Sequence, residues 1–383
     1  MIPYGRQNIT KEDIDAVVEV LKSDFLTQGP QVPFFEKEVS KYCDAKHAIA
    51  VNSATSALHI ACLSLNLTNK DWIWTSPITF LASANCGLYC GAKIDFIDID
   101  PKTYNICIDA LKKKLMSAKK LGMLPKIIIP VHLAGQSCDM KSIHKLSKKF
   151  GFKIIEDASH AIGGQYLNRP IGNCKYSDIT VFSFHPVKII TSGEGGMALT
   201  NNKKIANDMY LYRSHGATRD PSQMKRKPDG DWYYQQIRLG FNYRMTDIQA
   251  ALGLSQFKKL NANVKRRHEL AHRYNLLLKD LPIKLPYQNG NSYSSFHLYI
   301  IRLIDRSKTE HKHFFSDLRK KGIGVNLHYI PLYRQPYFKY NKSKYNNFPE
   351  SEAYYSEAIS IPLYSSMTKK DQNIVIKAIK ELL

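Results

Sequence analysis

The stretch "HAIAVNSATSALHIACLSL" (residues 47–65) changes its period halfway along. Its opening residues are apolar enough for a strand buried on both faces. Ala57, Leu58, Ala61, Cys62 and Leu65 then recur at helical spacing. Only small, mostly polar residues, Asn52 to Ser56, stand between the two. Strands of this kind, alternating with helices, belong in a largely parallel sheet covered on both sides, so the expected fold class is α/β.

The pattern repeats outward from there. "IDFIDID" (94–100), "KIIIPVH" (126–132), "FKIIEDAS" (152–159), "ITVFSF" (179–184) and "GMALT" (196–200) read as strands, with a helix over 139–150. Near the start, residues 11–22 place Ile14, Val17, Val18 and Leu21 on one helical face. Helices are expected over 247–260 and 263–279. A strand at 295–304, a helix at 310–321, a strand at 323–329 and terminal helices then form a smaller α/β unit. At 383 residues the chain exceeds what one core normally supports, and the boundary should fall near 260–290. The aperiodic "GATRDPSQMKRKPDGDWYYQQ" (216–236) reads as a long functional loop.

No apolar run is long enough to cross a bilayer as a helix, and no basic segment leads into an apolar start, so a cytoplasmic location is expected by elimination. The seven cysteines form no disulfide framework or metal-ligand pattern and read as buried thiols. A formal charge of +22 comes mainly from lysines on solvated helix faces. It favours an anionic small molecule, and neither zinc-finger spacing nor an RNA-binding signature accompanies it, which leaves nucleic acid and membrane outside the expected partners.

Ligands of parallel sheets bind at the carboxyl ends of the strands, which selects Asn52–Ser56, His132, Glu156–Asp157 and Ser183–Lys188. Lys188, in "FSFHPVKIITSGEGG" (182–196), can hold a phosphate, pair with an acid, face solvent or bond an aldehyde covalently. The last option demands company: a phosphate cradle, a carboxylate for a pyridine nitrogen and a flat group against the ring. The helix start after Asn52 suits a phosphate, or is merely capped by Ser53 or Thr55. Ser183 can join that cradle, and Asp157 can hold the nitrogen or serve as a cap. Phe80 can stack or sit in the core, and His160 and His185 can line the ring or pack locally.

These residues lie in a series of longer motifs: "SDFLTQGPQVPFFEKE" (23–38), "NSATSALH" (52–59), "SPITF" (76–80), "EDASHAIGG" (156–164), "SFHPVKIITSGEGG" (183–196), "GFNYRMTDIQAALG" (240–253) and "YIPLYRQPYF" (329–338). Through them the chain resembles the DegT/DnrJ/EryC1/StrS sugar aminotransferases over nearly its whole length. The resemblance implies a type I pyridoxal-phosphate (aspartate aminotransferase-like) fold. Residues 1–260 would form the large domain, with an N-terminal substrate segment, and 261–383 the small C-terminal domain. It implies Lys188 as catalytic lysine and covalent anchor, Asp157 at the pyridine nitrogen, Phe80 stacking and His160 beside the ring. The amides of Ala54, Thr55 and Ser56, with Ser183, would hold the phosphate. "FNYRM" (241–245) would reach that phosphate across a homodimer interface, through Asn242 or Arg244, giving two shared sites.

Some relatives carry histidine in place of the lysine and dehydrate their sugar; with Lys188 present, transamination is expected. The cofactor would be pyridoxal 5′-phosphate, passing through its pyridoxamine form. "IPYGRQNI" (2–9), the "FLTQGPQV" loop (25–32) and "GVNLHYIPLY" (324–333) most resemble the pseudaminic acid branch. That implies a UDP-linked 4-keto-6-deoxy-N-acetylhexosamine as substrate, glutamate as donor and a 4-amino sugar destined for flagellin glycosylation. Tyr4, Arg6, Thr27, His185 and His328 are the candidate substrate contacts. A GDP- or dTDP-linked keto-sugar is the alternative.

Overall fold

Along the strand His47–Val51, Ala48 and Ala50 turn to one face of a sheet and Ile49 and Val51 to the other, and both faces are buried. The same holds where Ile154 and Ile155 separate into cores on opposite sides. Each fully buried isoleucine or valine contributes about 1.5–3 kcal/mol, which is why these strands read as continuous apolar runs. The computed structural model describes residues 1–338 and 347–383.

Seven strands build the central sheet: β1 (His47–Val51), β2 (Trp72–Thr75), β3 (Lys93–Phe96), β4 (Ile127–Ile129), β5 (Lys153–Asp157), β6 (Ile179–Ser183) and β7 (Gly196–Thr200). Their order is β1–β7–β6–β5–β4–β2–β3, and only β7 runs antiparallel to its neighbours. Helix α1 (Lys11–Leu21) precedes α2 (Gln31–Cys43), and α3 (Ala54–Ser64) follows β1 directly. Ser53 caps α3 by accepting the Ser56 N–H. α4 (Ala82–Tyr89), α5 (Ile108–Lys120), α6 (Met140–Phe150) and α7 (Lys203–Arg213) complete the covering of the sheet with α8 (Asp247–Phe257). α9 (Leu260–Leu278) places Leu260 and Val264 in the core beneath the sheet, and Leu270, Tyr274 and Leu278 in a second core. That second core is built on the antiparallel strands β8 (Ile283–Lys284), β9 (Tyr299–Leu303) and β10 (Ala358–Ile361) with α10 (Lys308–Lys320) and α12 (Lys369–Leu382). α11 (Pro349–Glu357) leads into β10.

Three expectations change. Residues 323–329 form no ladder strand. Ile323 bridges Ile2 and the Gly324 N–H donates to the Ile2 carbonyl, tying the segment to the chain's start, while a single bridge from Asn326 to Ser360 joins it to β10 without a continuous ladder. On α1 the apolar face is turned outward: Ile14 and Leu21 are both 55% exposed, whereas Asp13 is fully buried. Ser255 Oγ, Gln256 Nε2 and Lys259 Nζ, each 2.6 Å from the Asp13 carboxylate, draw that acid against α8. Residues 216–236 are closed at their base by pairing of Ala217–Thr218 with Gln235–Gln236. No helix among the described residues is long and apolar enough to cross a membrane.

Candidate active site

At the carboxyl ends of β1, β5 and β6 lies a cavity of about 700 Å³, within the range of small-molecule sites. Strand alternation decides which carboxylate enters it. Asp157 lines the cavity, whereas Glu156, one residue earlier, points to the other face and pairs with fully buried His132 at 2.7 Å. Burial opposes the charged form of both groups, but their bonding to each other and to Cys138, Ser177 and Thr180 outweighs it, raising the histidine's pKa and lowering the acid's. His132 and Glu156 are therefore a structural pair.

Asp157 is held by two donors: Ser83 Oγ donates to Oδ2 at 2.6 Å and the Ser159 N–H to Oδ1 at 3.1 Å. Lys188 sits on the loop between β6 and β7. That loop is clasped on itself by Phe184 N–H to Gly195 O (2.9 Å) and Ser192 N–H to Phe184 O (3.0 Å). Burial lowers the Lys188 amine to about 8, with the Asp157 charge opposing the shift. A lysine so placed carries a substantial neutral fraction near physiological pH, as a nucleophile or base requires.

The start of α3 forms the anion end of the cavity. Gly196 brings β7 against it so closely that a Cβ there would lie 2.4 Å from the Ala54 nitrogen. The amides of Ala54 and Thr55 open the helix and have no acceptor earlier in it. Ser56 differs: its N–H donates to Ser53 Oγ and its hydroxyl to Asn52 Oδ1. Ser183 lines the same end. Phe80, 57% exposed, presents its ring at the cavity wall, 6.0 Å from that of Tyr329.

Tyr4, Ala54, Thr55, Ser56, Phe80, Asp157, His160, Ser183, His185, Lys188 and His328 all line this one cavity. Arg6, Thr27, Asn242 and Arg244 do not. Arg6 is exposed and Thr27 bridges Thr246, while Asn242 bridges Ser214 and Arg244 bridges Val51. His185 faces Glu194 at 3.9 Å across the mouth. Four histidines of the lining are driven toward neutrality by burial, with Lys188 adding to it: His160, His297, His328, the last of these to about 3, and His185, where the Glu194 charge opposes the shift. Sequence reasoning does not single out His297, Asn326 or Tyr329. They come from the smaller unit, where the rule of strand ends gives no signal; the motifs "GVNLHYIPLY" and "YIPLYRQPYF" pass through Asn326 and Tyr329 without marking either.

Residues 7–380 match the model of the DegT/DnrJ/EryC1/StrS aminotransferase family. A UDP-4-amino-4,6-dideoxy-N-acetyl-beta-L-altrosamine transaminase from Campylobacter jejuni is 38% identical, over 98% of this chain and 96% of its own. Among solved structures, Helicobacter pylori PseC, an aminotransferase involved in the biosynthesis of pseudoaminic acid, superposes with a TM-score of 0.89 at 32% identity, covering 100% of this chain and 98% of that one. Spr1654 of Streptococcus pneumoniae, solved in PLP- and PMP-forms, is 28% identical, and its PLP-form gives a TM-score of 0.89 over 100% of this chain and 99% of its own.

Proposed function

This chain belongs to the DegT/DnrJ/EryC1/StrS aminotransferase family, and we propose that within it the chain aminates C4 of a UDP-linked 4-keto-6-deoxy-N-acetylhexosamine, with glutamate as donor, for pseudaminic acid biosynthesis. It is a sugar aminotransferase, and its cofactor is pyridoxal 5′-phosphate. The observation that carries the site assignment is the meeting of the Lys188 amine, the Asp157 carboxylate and the open start of α3 in one cavity. When bound, the cofactor supplies an aldehyde for amines and a ring that accepts the electrons left when a proton leaves carbon.

The residues fit that group. The Ala54 and Thr55 amides with the Ser183 hydroxyl would hold the phosphate, and the doubly bonded Asp157 would keep the ring nitrogen protonated. Phe80 would cover one ring face. Lys188 would anchor the cofactor covalently, and its Nζ, when free, would take the proton from the donor's α-carbon and in the second half deliver a proton to the sugar's C4. One amine serves as base and then acid because its pKa stands close to working pH. Tyr4, His185 and His328 line the space left for the sugar.

Shared sites in a homodimer are supported by charge and by exposure. Among the described lining residues Lys188 is the sole lysine or arginine, so a bound phosphate lacks a cation from its own chain. Asn242 and Arg244 do not line that cavity, and Ile14, Leu21, Phe25, Leu26 and Phe34 are exposed apolar side chains. If Asn242 and Arg244 serve a partner's site, mixing K188A with the double variant N242A/R244A restores about a quarter of wild-type activity. Half the dimers are then mixed, and each mixed dimer has one intact site. Failure of the two inactive variants to complement removes the shared site.

The substrate is tested directly. Purified enzyme with glutamate is offered UDP-, GDP- and dTDP-linked 4-keto-6-deoxy sugars, and the amino sugar is identified by NMR. Turnover confined to a GDP- or dTDP-sugar would overturn the UDP reading. A cytoplasmic enzyme feeding flagellin glycosylation is the setting this reading implies.

A further inference from the structure

The resemblance places the His160 side chain beside the cofactor ring, yet the structure commits both of its nitrogens elsewhere. The backbone N–H of Ala134 donates to His160 Nδ1 at 3.3 Å. A ring nitrogen that accepts a hydrogen bond carries no proton, so the imidazole is neutral and its single hydrogen is on Nε2. Nε2 lies 3.1 Å from Tyr329 Oη. The direction of this second bond follows: Nε2–H donates and the phenol oxygen accepts. His297 packs against His160 with ring centres 4.3 Å apart, which restrains the imidazole's plane.

The consequence falls on Tyr329. Its oxygen accepts the hydrogen bond from His160 Nε2–H, which cannot take one in return, so the phenolic O–H turns away. Among the described residues no acceptor takes it. Tyr329 lines the cavity, and Asp157 and Lys188 line it too. Burial and the neighbouring Asp157 charge raise the phenol's pKa, keeping it a donor throughout the working range.

We propose that Tyr329 is a donor fixed toward the active-site cavity: His160 positions it, and its O–H bonds a charged or carbonyl oxygen of the molecule bound there. Two sources offer such an oxygen, the ring phenolate of the cofactor and the incoming substrate. His160 is then a positioning residue acting through Tyr329. The inference rests on the assignment of this cavity to the cofactor, which K188A tests separately.

The experiment uses cofactor-loaded Y329F, a change that removes one oxygen and preserves the ring's packing. If the acceptor is the cofactor's phenolate, the pH midpoint of the bound cofactor's visible absorption moves upward. The donor stabilises the ring oxygen most after the adjacent nitrogen has lost its proton, so losing the donor favours retention of that proton. A hydrogen bond to a charged group corresponds to a shift of about one pH unit, or about tenfold. If the acceptor is the substrate's oxygen, the midpoint stays and kcat/KM for the keto-sugar or glutamate falls about tenfold. Either result supports the donor role and tells the sources apart. H160F should reproduce part of the same change, and the double variant should add nothing to Y329F, because the two act in series. A midpoint and kcat/KM within about twofold of wild type in Y329F would sink the proposal, as would additive effects of the two changes. Should K188A keep the absorption of the lysine-bound cofactor, the cavity assignment itself falls. Should K188A lose it while Y329F changes nothing, only the role of Tyr329 falls.

Discussion

Replacement of Lys188 by alanine is expected to leave a folded protein whose transamination is lower by about 10⁴-fold or more, the upper end of what a positioned proton-transfer group contributes. The loop that carries it is closed by backbone bonds of Phe184, Ser192 and Gly195, which do not involve the side chain. Burial already disfavours the charged amine, so removing it relieves a desolvation penalty and the melting temperature should not fall. Two functions disappear together, the covalent anchor and the mobile base, and the visible absorption of the lysine-bound cofactor goes with them. Wild-type protein offers a second reading of the same group. Only the neutral amine attacks an aldehyde, so the rate of cofactor loading should be flat above about pH 8 and fall about tenfold per pH unit below it. K188A turning over within about tenfold of wild type would remove Lys188 from the centre of the chemistry.

Local sequence carried the sheet because its strands are buried on both faces and its helices begin at once. The strand over Ile179–Ser183 and that over Gly196–Thr200 follow directly from apolar runs bounded by polar residues or glycine. It carried less well where polar groups steer the chain. "IDFIDID" looks like one strand, but the ladder ends at Phe96. There the Asp98 carboxylate accepts the N–H groups of Glu350 and Ser351, and Asp100 accepts those of Lys102 and Thr103, turning the backbone out of the sheet. Asp13 was invisible as a core residue for the same reason, since its partners lie about 240 positions away. Within the site, Lys188 and Asp157 were legible because strand-end position and residue type agree. Tyr329 and His297 were not, because the wall they form exists only once the smaller unit folds against the sheet. Arg6, Thr27, Asn242 and Arg244 mark the opposite case: motifs named them, yet a single chain does not bring them to its own cavity.

Changing Asp157 to asparagine should lower turnover by about 10²–10³-fold, the effect of removing one preorganised electrostatic partner. The fold should hold, because the local hydrogen bonds can be rebuilt. The carboxamide introduced by D157N would keep an oxygen for the Ser159 N–H. Its NH₂ group would donate to Ser83 Oγ, whose own proton can turn to Thr79 Oγ1, 2.7 Å away. What the substitution removes is the negative charge, and with it the force that keeps a ring nitrogen protonated. A second, independent consequence has a fixed sign. In wild type the Asp157 charge raises the pKa of Lys188 against the effect of burial, so without it the amine should titrate below about 8. Cofactor loading by D157N should therefore shift its midpoint to lower pH, even as turnover collapses at every pH. The two readouts separate a local electrostatic role from general damage. A misfolded variant loses both loading and turnover, whereas a variant lacking only the charge loads at lower pH and fails in proton abstraction. Near wild-type turnover with an unmoved loading midpoint would show that Asp157 is merely a well-bonded buried acid.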